Sequence, residues 1–202
     1  MRQRFTVCQR PALTESEKLM NPKLGVVGLW LGCLVVVGPM RAAETNAVAG
    51  RVGVYDSRAV AFAWFSSDTQ MAQLKEQMAA GRAAQAAGDE TTFKEYSTRL
   101  RAKQDQIHRE MFSTAPADEA MAALKGRIQE IEQAAGVSTL VSKWDEPAMK
   151  NHQGAEKVDV TDKLVRAFIN PTEKQLKSIE AIEKATPLTL EKCDELIKKG
   201  EI

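Results

Sequence analysis

The sequence predicts an α+β fold that is mostly helical, with a small β-rich body, a protruding helical hairpin and a C-terminal helical extension. Three observations point there. Residues 51–55 (RVGVY) and 137–145 (VSTLVSKWD) have the alternation and β-branched content of strands. Between them, residues 68–115 contain no proline and are rich in Ala, Gln, Lys, Glu and Met, the composition of long exposed helices. After Asn170-Pro171 the apolar residues fall into two short helical patterns.

The elements follow in order. In 51–55, alternation places Val52 and Val54 on one face; Asp56-Ser57 then offers an N-cap for a short helix through Ala59, Val60, Phe62 and Ala63. From Asp68, Met71, Leu74, Met78 and Gly81 recur at spacings of 3, 4 and 3, a narrow seam rather than a broad buried face. Ala87-Gly88-Asp89-Glu90 interrupts it: Gly88 suits a left-handed C′ position and Asp89 caps the next helix, so the tip of a hairpin falls here. The return helix carries Phe93, Tyr96, Leu100, Ile107 and Met111, with a polar gap at Lys103 or Gln104 where another seam residue would stand. The arms together cover about 68–112.

After Pro116, which kinks the return helix or starts a new one, Ala117, Met121, Leu124, Ile128, Ile131 and Ala135 follow at 4, 3, 4, 3 and 4. That is the cleanest heptad in the chain, and it predicts a helix packed along its whole length and ended by Gly136. A second strand over 137–145 sets Leu140, Ser142 and Trp144 against Val137, Thr139, Val141 and Lys143. Residues 147–154 are expected to form a turn with a short edge strand, and Asp159 to cap a helix holding Val160, Leu164, Val165 and Phe168. In the extension, one helix carries Leu176, Ile179 and Ile182; the other opens at Thr186-Pro187 and ends at Gly200.

The chain has 202 residues, 28 Lys+Arg, 27 Asp+Glu, 5% aromatic residues and 3 Cys, enough for one domain with a modest core. Charged residues at 27% and apolar residues at 44% exclude wholesale disorder, a collagen-like fibre and a disulfide scaffold. The charge is unevenly distributed: residues 1–43 carry six basic and two acidic side chains, whereas residues 50–202 carry 22 basic against 24 acidic, a balance of −2. Nucleic acid is therefore not an expected partner, because a phosphate-binding domain needs a positive surplus.

Residues 1–49 read as an export signal and short linker. Residues 24–38 (LGVVGLWLGCLVVVG) are uncharged, preceded by Lys18 and Lys23 and followed by Pro39, Met40, Arg41 and small residues. A bilayer span wants about 20 apolar residues, so an uncleaved anchor is the weaker reading. A start at Met20 gives an ordinary signal n-region, and Ala47-Val48-Ala49 offers a cleavage site that leaves Gly50 first. Cleavage would remove Cys8 and Cys33 and leave Cys193, which falls in an apolar helical pattern with Leu190, Leu196 and Ile197 and is expected to be buried. The expected location is periplasmic, with inner-membrane anchoring through 24–38 as the alternative.

Chemistry-bearing motifs are scarce. There is no HExxH, CxxC, GxSxG or P-loop, and the carboxylate pairs Asp145-Glu146 and Glu130/Glu132 point apart on a helix. His108 and His152 read as solvated, and no catalytic residue, metal or cofactor is expected.

Taken in order, the strand RVGVYDSRAV, a helical hairpin, a helix from Pro116 through Ile128 and Ile131 to Gly136, the strand STLVSKWD and then VDVTDKLVRAF resemble the OmpH/Skp family of periplasmic chaperones. The best local matches are Val54-Tyr55-Asp56-Ser57-Arg58-Ala59-Val60 and Asp159-Val160-Thr161-Asp162, and the resemblance covers about 51–169. It implies a homotrimer whose small body sends out helical tentacles that enclose unfolded outer-membrane or envelope proteins without ATP. On that reading the domain is 50–169, with 170–202 as an extension that has no counterpart in the family. Met71, Leu74, Met78, Phe93, Tyr96 and Leu100 would then contact clients, and Val52, Val54, Met121, Leu124, Ile128, Ile131 and Leu140 would pack the body or its oligomer. Three departures stand out: a tentacle of only ~30 Å, a net charge of −2 where the family tends to be basic, and the extension itself. The expectation from a different class is a structural or adaptor protein of the envelope, docking a folded partner through the C-terminal helices.

Overall fold

The computed structural model describes residues 50–202, so the readings of 24–38, Met20, 47–49, Cys8 and Cys33 lie outside the described residues. Helices hold 66% of the described residues. The elements run β1 (Arg51–Tyr55), α1 (Ser57–Phe65), α2 (Asp68–Ala86), α3 (Glu90–Phe112), α4 (Asp118–Ala123), α5 (Ile128–Ala135), β2 (Leu140–Ser142), α6 (Glu146–Asn151), β3 (Glu156–Asp159), α7 (Thr161–Phe168), α8 (Glu173–Lys184) and α9 (Leu190–Lys199). The α+β, mostly helical class holds, and helices rather than strands supply most of the body.

The strands form one parallel sheet in the order β2-β1-β3, with Gly53 opposite Leu140 on one side and Val158 on the other. Parallel neighbours need long crossovers, and the β1-to-β2 crossover is the segment that carries the helical arm. Because β1 is central, its burial does not alternate: Val52, Gly53 and Tyr55 are buried and Val54 is half-buried. The expected Val52/Val54 face therefore shares the interior with Tyr55, which enters the main core from the opposite side of the strand.

Helix α1 runs further than the expected single turn and is buried almost all round. Val60, Ala61 and Phe65 pack with Ala117, Ala120, Leu124, Ile131, Val160 and Leu164, while Ala59 and Ala63 pack with Val165 and Ile179. The small alanines let α7 and α8 approach one side of α1 as α3 and α4 cover the other.

The heptad after Pro116 is not one helix. It breaks into α4 and α5 at a turn over 124–127, where Gly126 weakens the helix, but Arg127 N–H and Ile128 N–H still donate to the Leu124 carbonyl. The turn keeps the phase, so Ala117, Leu124 and Ile131 are buried in one core with Met121, Ile128 and Ala135 against it. The strand expected over 137–145 shrinks to three residues for local reasons. Val137 N–H closes the end of α5 on the Glu132 carbonyl beside left-handed Gly136, and the Asp145 carboxylate accepts from Ala148 N–H as the N-cap of α6. The turn expected over 147–154 is thus mostly helix α6, with Pro147 harmless in its first turn, and the edge strand β3 lies just beyond.

At α7, Asp159 stands one residue further out than an N-cap, yet its carboxylate accepts from Thr161 N–H at 2.8 Å. Thr172 and Gln175 form a capping box at α8. Helix α9 opens at Thr189 rather than at Thr186-Pro187, because Leu188 is extended and pairs with Ser113. The two extension helices lie on different partners: Ile179 of α8 is buried against α1 and α7, and Cys193 and Ile197 are buried where α9 covers α3.

Gly53 is the tightest backbone approach in the sheet: a Cβ there would stand 2.7 Å from Leu140 Cδ2, 3.1 Å from Val137 Cγ2 and 3.3 Å from the Thr139 carbonyl oxygen. Gly53→Val is expected to push β2 away from β1 and cost about 2 kcal/mol, read as a lower denaturation midpoint.

Candidate functional site

The arm is built as its sequence dictates. The Ser67 side chain accepts from Gln70 N–H to start α2, Gly88 at φ 72° turns the chain, and Asp89 accepts from Thr92 N–H to start α3. Nineteen residues of α2 reach about 28 Å. Near the tip the two helices close on each other: Gly81 and Ala84 are buried, and a Cβ on Gly81 would sit 3.3 Å from Tyr96 Cβ. Toward the root they part around a groove of about 480 Å³ lined by Gln70, Gln73, Leu74, Gln77, Lys103 and Gln106, among others. This groove is the polar gap read at Lys103, whose ammonium pairs with Glu119 at 2.7 Å and sits 4.9 Å from the Phe65 ring centre.

The six candidate contact residues divide. Met71 (39% exposed), Met78 (39%) and Phe93 (36%) stand open to solvent, whereas Leu74, Tyr96 and Leu100 are half-buried. A two-helix arm has too little interior to cover every apolar side chain, so about half its seam stays available. Of the body residues, Val52, Leu124 and Ile131 are buried, while Val54, Met121, Ile128 and Leu140 are half-buried.

Below the arm, at the carboxyl ends of the strands, lies a buried ionic cluster. Asp56 is 0% exposed and Arg58 2%. Asp56 Oδ1 accepts from Arg58 N–H, Arg58 Nε and Trp144 Nε1, and Oδ2 accepts from Arg58 Nη2 at 3.0 Å and Lys143 Nζ at 2.7 Å. The Asp56 backbone N–H donates to Thr161 Oγ1, and Arg58 Nη1 to the Ala185 carbonyl. The guanidinium lies 4.8 Å from the Trp144 ring centre and the Lys143 ammonium 4.9 Å. With both carboxylate oxygens of Asp56 engaged and buried, the Asp56–Arg58 pair fastens the structure, and Lys143 closes over it from a half-buried position. Reading the sequence assigned Asp56 only as a cap and missed Arg58, Lys143, Trp144 and Thr161. The available signal was the ionic Asp-Ser-Arg directly after an apolar strand, since such a pair is either solvated or bound to be satisfied internally.

Burial alone would raise the Asp56 carboxyl, but the hydrogen bonds from Arg58, Lys143 and Trp144 outweigh it and hold its pKa below the usual value. Burial, with Asp118 and Asp145 nearby, pushes the Tyr55 hydroxyl up to about 12. Burial also raises Glu110, only partly offset by a hydrogen bond from Gln106; its second oxygen is buried without a partner among the described residues. His108, expected to be solvated, is half-buried, with its ring 5.7 Å from that of Phe112; His152 is half-buried at the end of α6. Cys193 is buried as expected, its thiol raised by burial. Among the described residues, no group of three or more His, Cys, Asp and Glu is placed to hold a metal ion, and no helix is long and apolar enough to cross a membrane.

Compared with protein-family models, curated proteins and solved structures, the chain matches none.

Asp56→Asn leaves Arg58 buried without its counter-charge and is expected to cost about 3 to 5 kcal/mol in a denaturant melt, while Asp56→Leu with Arg58→Met recovers part of it. Since the folded pKa of Asp56 lies below its unfolded one, its contribution is complete above about pH 4 and is lost as pH falls through the folded value. Asp56→Asn should therefore flatten the acid limb of the stability profile. Glu110 has the opposite sign: its folded pKa is raised, so stability increases as pH falls through that value toward its unfolded pKa near about 4.3. Glu110→Gln is expected to raise the melting temperature at pH 7 and to lose that advantage by about pH 4.

Proposed function

We propose that this chain is an exported, ATP-independent holdase of the OmpH/Skp kind, which binds unfolded outer-membrane or envelope proteins on its helical arm and keeps them from aggregating. The observation that carries the reading is the arm itself. It is two helices thick, it projects from a body that has its own core, and Met71, Met78 and Phe93 remain exposed along it. Methionine suits this use, because a flexible polarizable side chain adapts to irregular apolar segments without selecting one sequence. Each such contact is weak, and affinity for an unfolded chain would come from several acting together.

A homotrimer follows from the same reading: three short arms on one body would enclose a shallow space and multiply the contacts available to one client. The short arm and the net charge of −2 from Gly50 onward favour small clients captured by apolar rather than ionic contact. The alternative of an envelope adaptor leaned on the C-terminal helices as its docking element. Those helices bury Ile179, Cys193 and Ile197 against α1, α7 and α3, but Leu176 (40% exposed) and Leu190 (38%) stay open to solvent, so the extension keeps some apolar surface that a folded partner could cover.

Met78→Asp with Phe93→Asp changes two exposed side chains and should leave stability within about 0.5 kcal/mol. The pair is expected to abolish suppression of aggregation of a denatured outer-membrane barrel protein, with the mass in solution by light scattering remaining that of a trimer. Full suppression by the double variant would remove the arm from the mechanism, and a monomeric mass would remove the trimer.

A further inference from the structure

We propose that the C-terminal extension is a splint that fixes the angle of the helical arm on the body, so that loosening it lets the arm swing while the body stays folded. Only two short links join the arm to the body: Ser66-Ser67 between α1 and α2, and residues 113–117 between α3 and α4. Links of this length act as hinges unless something beyond them holds the helices. Helix α1 supports one side of the root of α3, and α9 supports another.

The polar contacts that grip α3 fall near its end and on the residues just after it. The Cys193 thiol donates to the His108 carbonyl at 3.7 Å, Arg109 pairs with Asp194, and Leu188 forms a parallel bridge with Ser113. In that bridge Leu188 N–H donates to the Phe112 carbonyl at 2.9 Å and Thr114 N–H to the Leu188 carbonyl at 3.0 Å. The other end of the extension is fastened to the body: Ile179 is packed among Ala59, Ala63 and Val165, and the Ala185 carbonyl accepts from Arg58. A single stretch of chain thus bonds the interior of the body at Ala185 and the root of the arm at Leu188, three residues apart. That connection, running across the hinge and not through it, is what makes the extension a splint rather than another core helix. The outer part of the arm, from the Gly81–Tyr96 contact to Gly88, is held only by its own two helices and keeps its own compliance.

The inference rests on this geometry and not on the holdase reading, and its test uses no client. Spin labels on Gln85→Cys near the arm tip and Lys163→Cys on α7, in a chain that carries Cys8→Ser and Cys33→Ser, keeps the buried Cys193 and is diluted with unlabelled chain, report the arm's angle as a distance distribution. Ending the chain after Ala185 is expected to broaden that distribution and to speed amide exchange at 104–114 at least ten-fold, with β1 and α7 unchanged. An unchanged distribution overturns the proposal, and so does equal loosening of β1 and α7, which would make the extension part of the core. A gentler variant keeps the whole chain: with Cys193 as the only thiol, Asp194→Arg should raise its rate of reaction with a small thiol reagent at least ten-fold. Adding Arg109→Asp should return most of that protection, and failure of the swap to do so overturns the role given to the Arg109–Asp194 pair.

Discussion

The Asp56–Arg58 ion pair sits where four parts of the chain meet, and burying it obliges those parts to arrive together. A carboxylate and a guanidinium removed from water cost several kcal/mol each unless their hydrogen-bonding capacity is met. Here it is met by the start of α1, by Lys143 and Trp144 after β2 and by Ala185 after α8, while Thr161 at the start of α7 holds the Asp56 backbone. The pair therefore converts an electrostatic requirement into topology. It sets the carboxyl ends of all three strands beside one another and ties the extension to them.

Around that point, α1 transmits the arrangement outward. Its alanines admit α7 and α8 closely on one side, and Val60 and Phe65 join the larger core on the other. A helix enclosed in this way is a rigid base, and a two-residue link joins it to the arm. The contrast in burial divides the molecule in two. The body buries a core of its own, whereas the arm has no second layer and leaves Met71, Met78 and Phe93 in water. The proposed holdase surface would need that combination, because exposed apolar residues are tolerable only on a scaffold whose own core does not compete for them.

The arm was the most legible part of the chain. Its boundaries, its tip at Gly88 and Asp89 and its polar gap at Lys103 follow from helix propensity, capping and 3.6-residue periodicity, all of which act within a few residues. The heptad through Met121, Ile128 and Ala135 named the right core partners but the wrong continuity, since side-chain phase survives a turn that backbone hydrogen bonding does not. The strand over 137–145 was overdrawn because Gly136 and Asp145 each took backbone groups for a helix end. Lys143 and Trp144 gave no sign of their role, because their partner is 87 and 88 positions away.

By itself the sequence determined the class of fold, the order of nearly every element, the hairpin arm and which of its residues are apolar, because these depend on local propensity and repeat. The tertiary structure alone decided that Asp56 and Arg58 are buried, that β1 is the central strand, that Met71, Met78 and Phe93 stay exposed while Tyr96 does not, and that the extension grips α3. Those outcomes depend on which surfaces meet across long stretches of chain, and a contact of that kind leaves no period in the residues that make it.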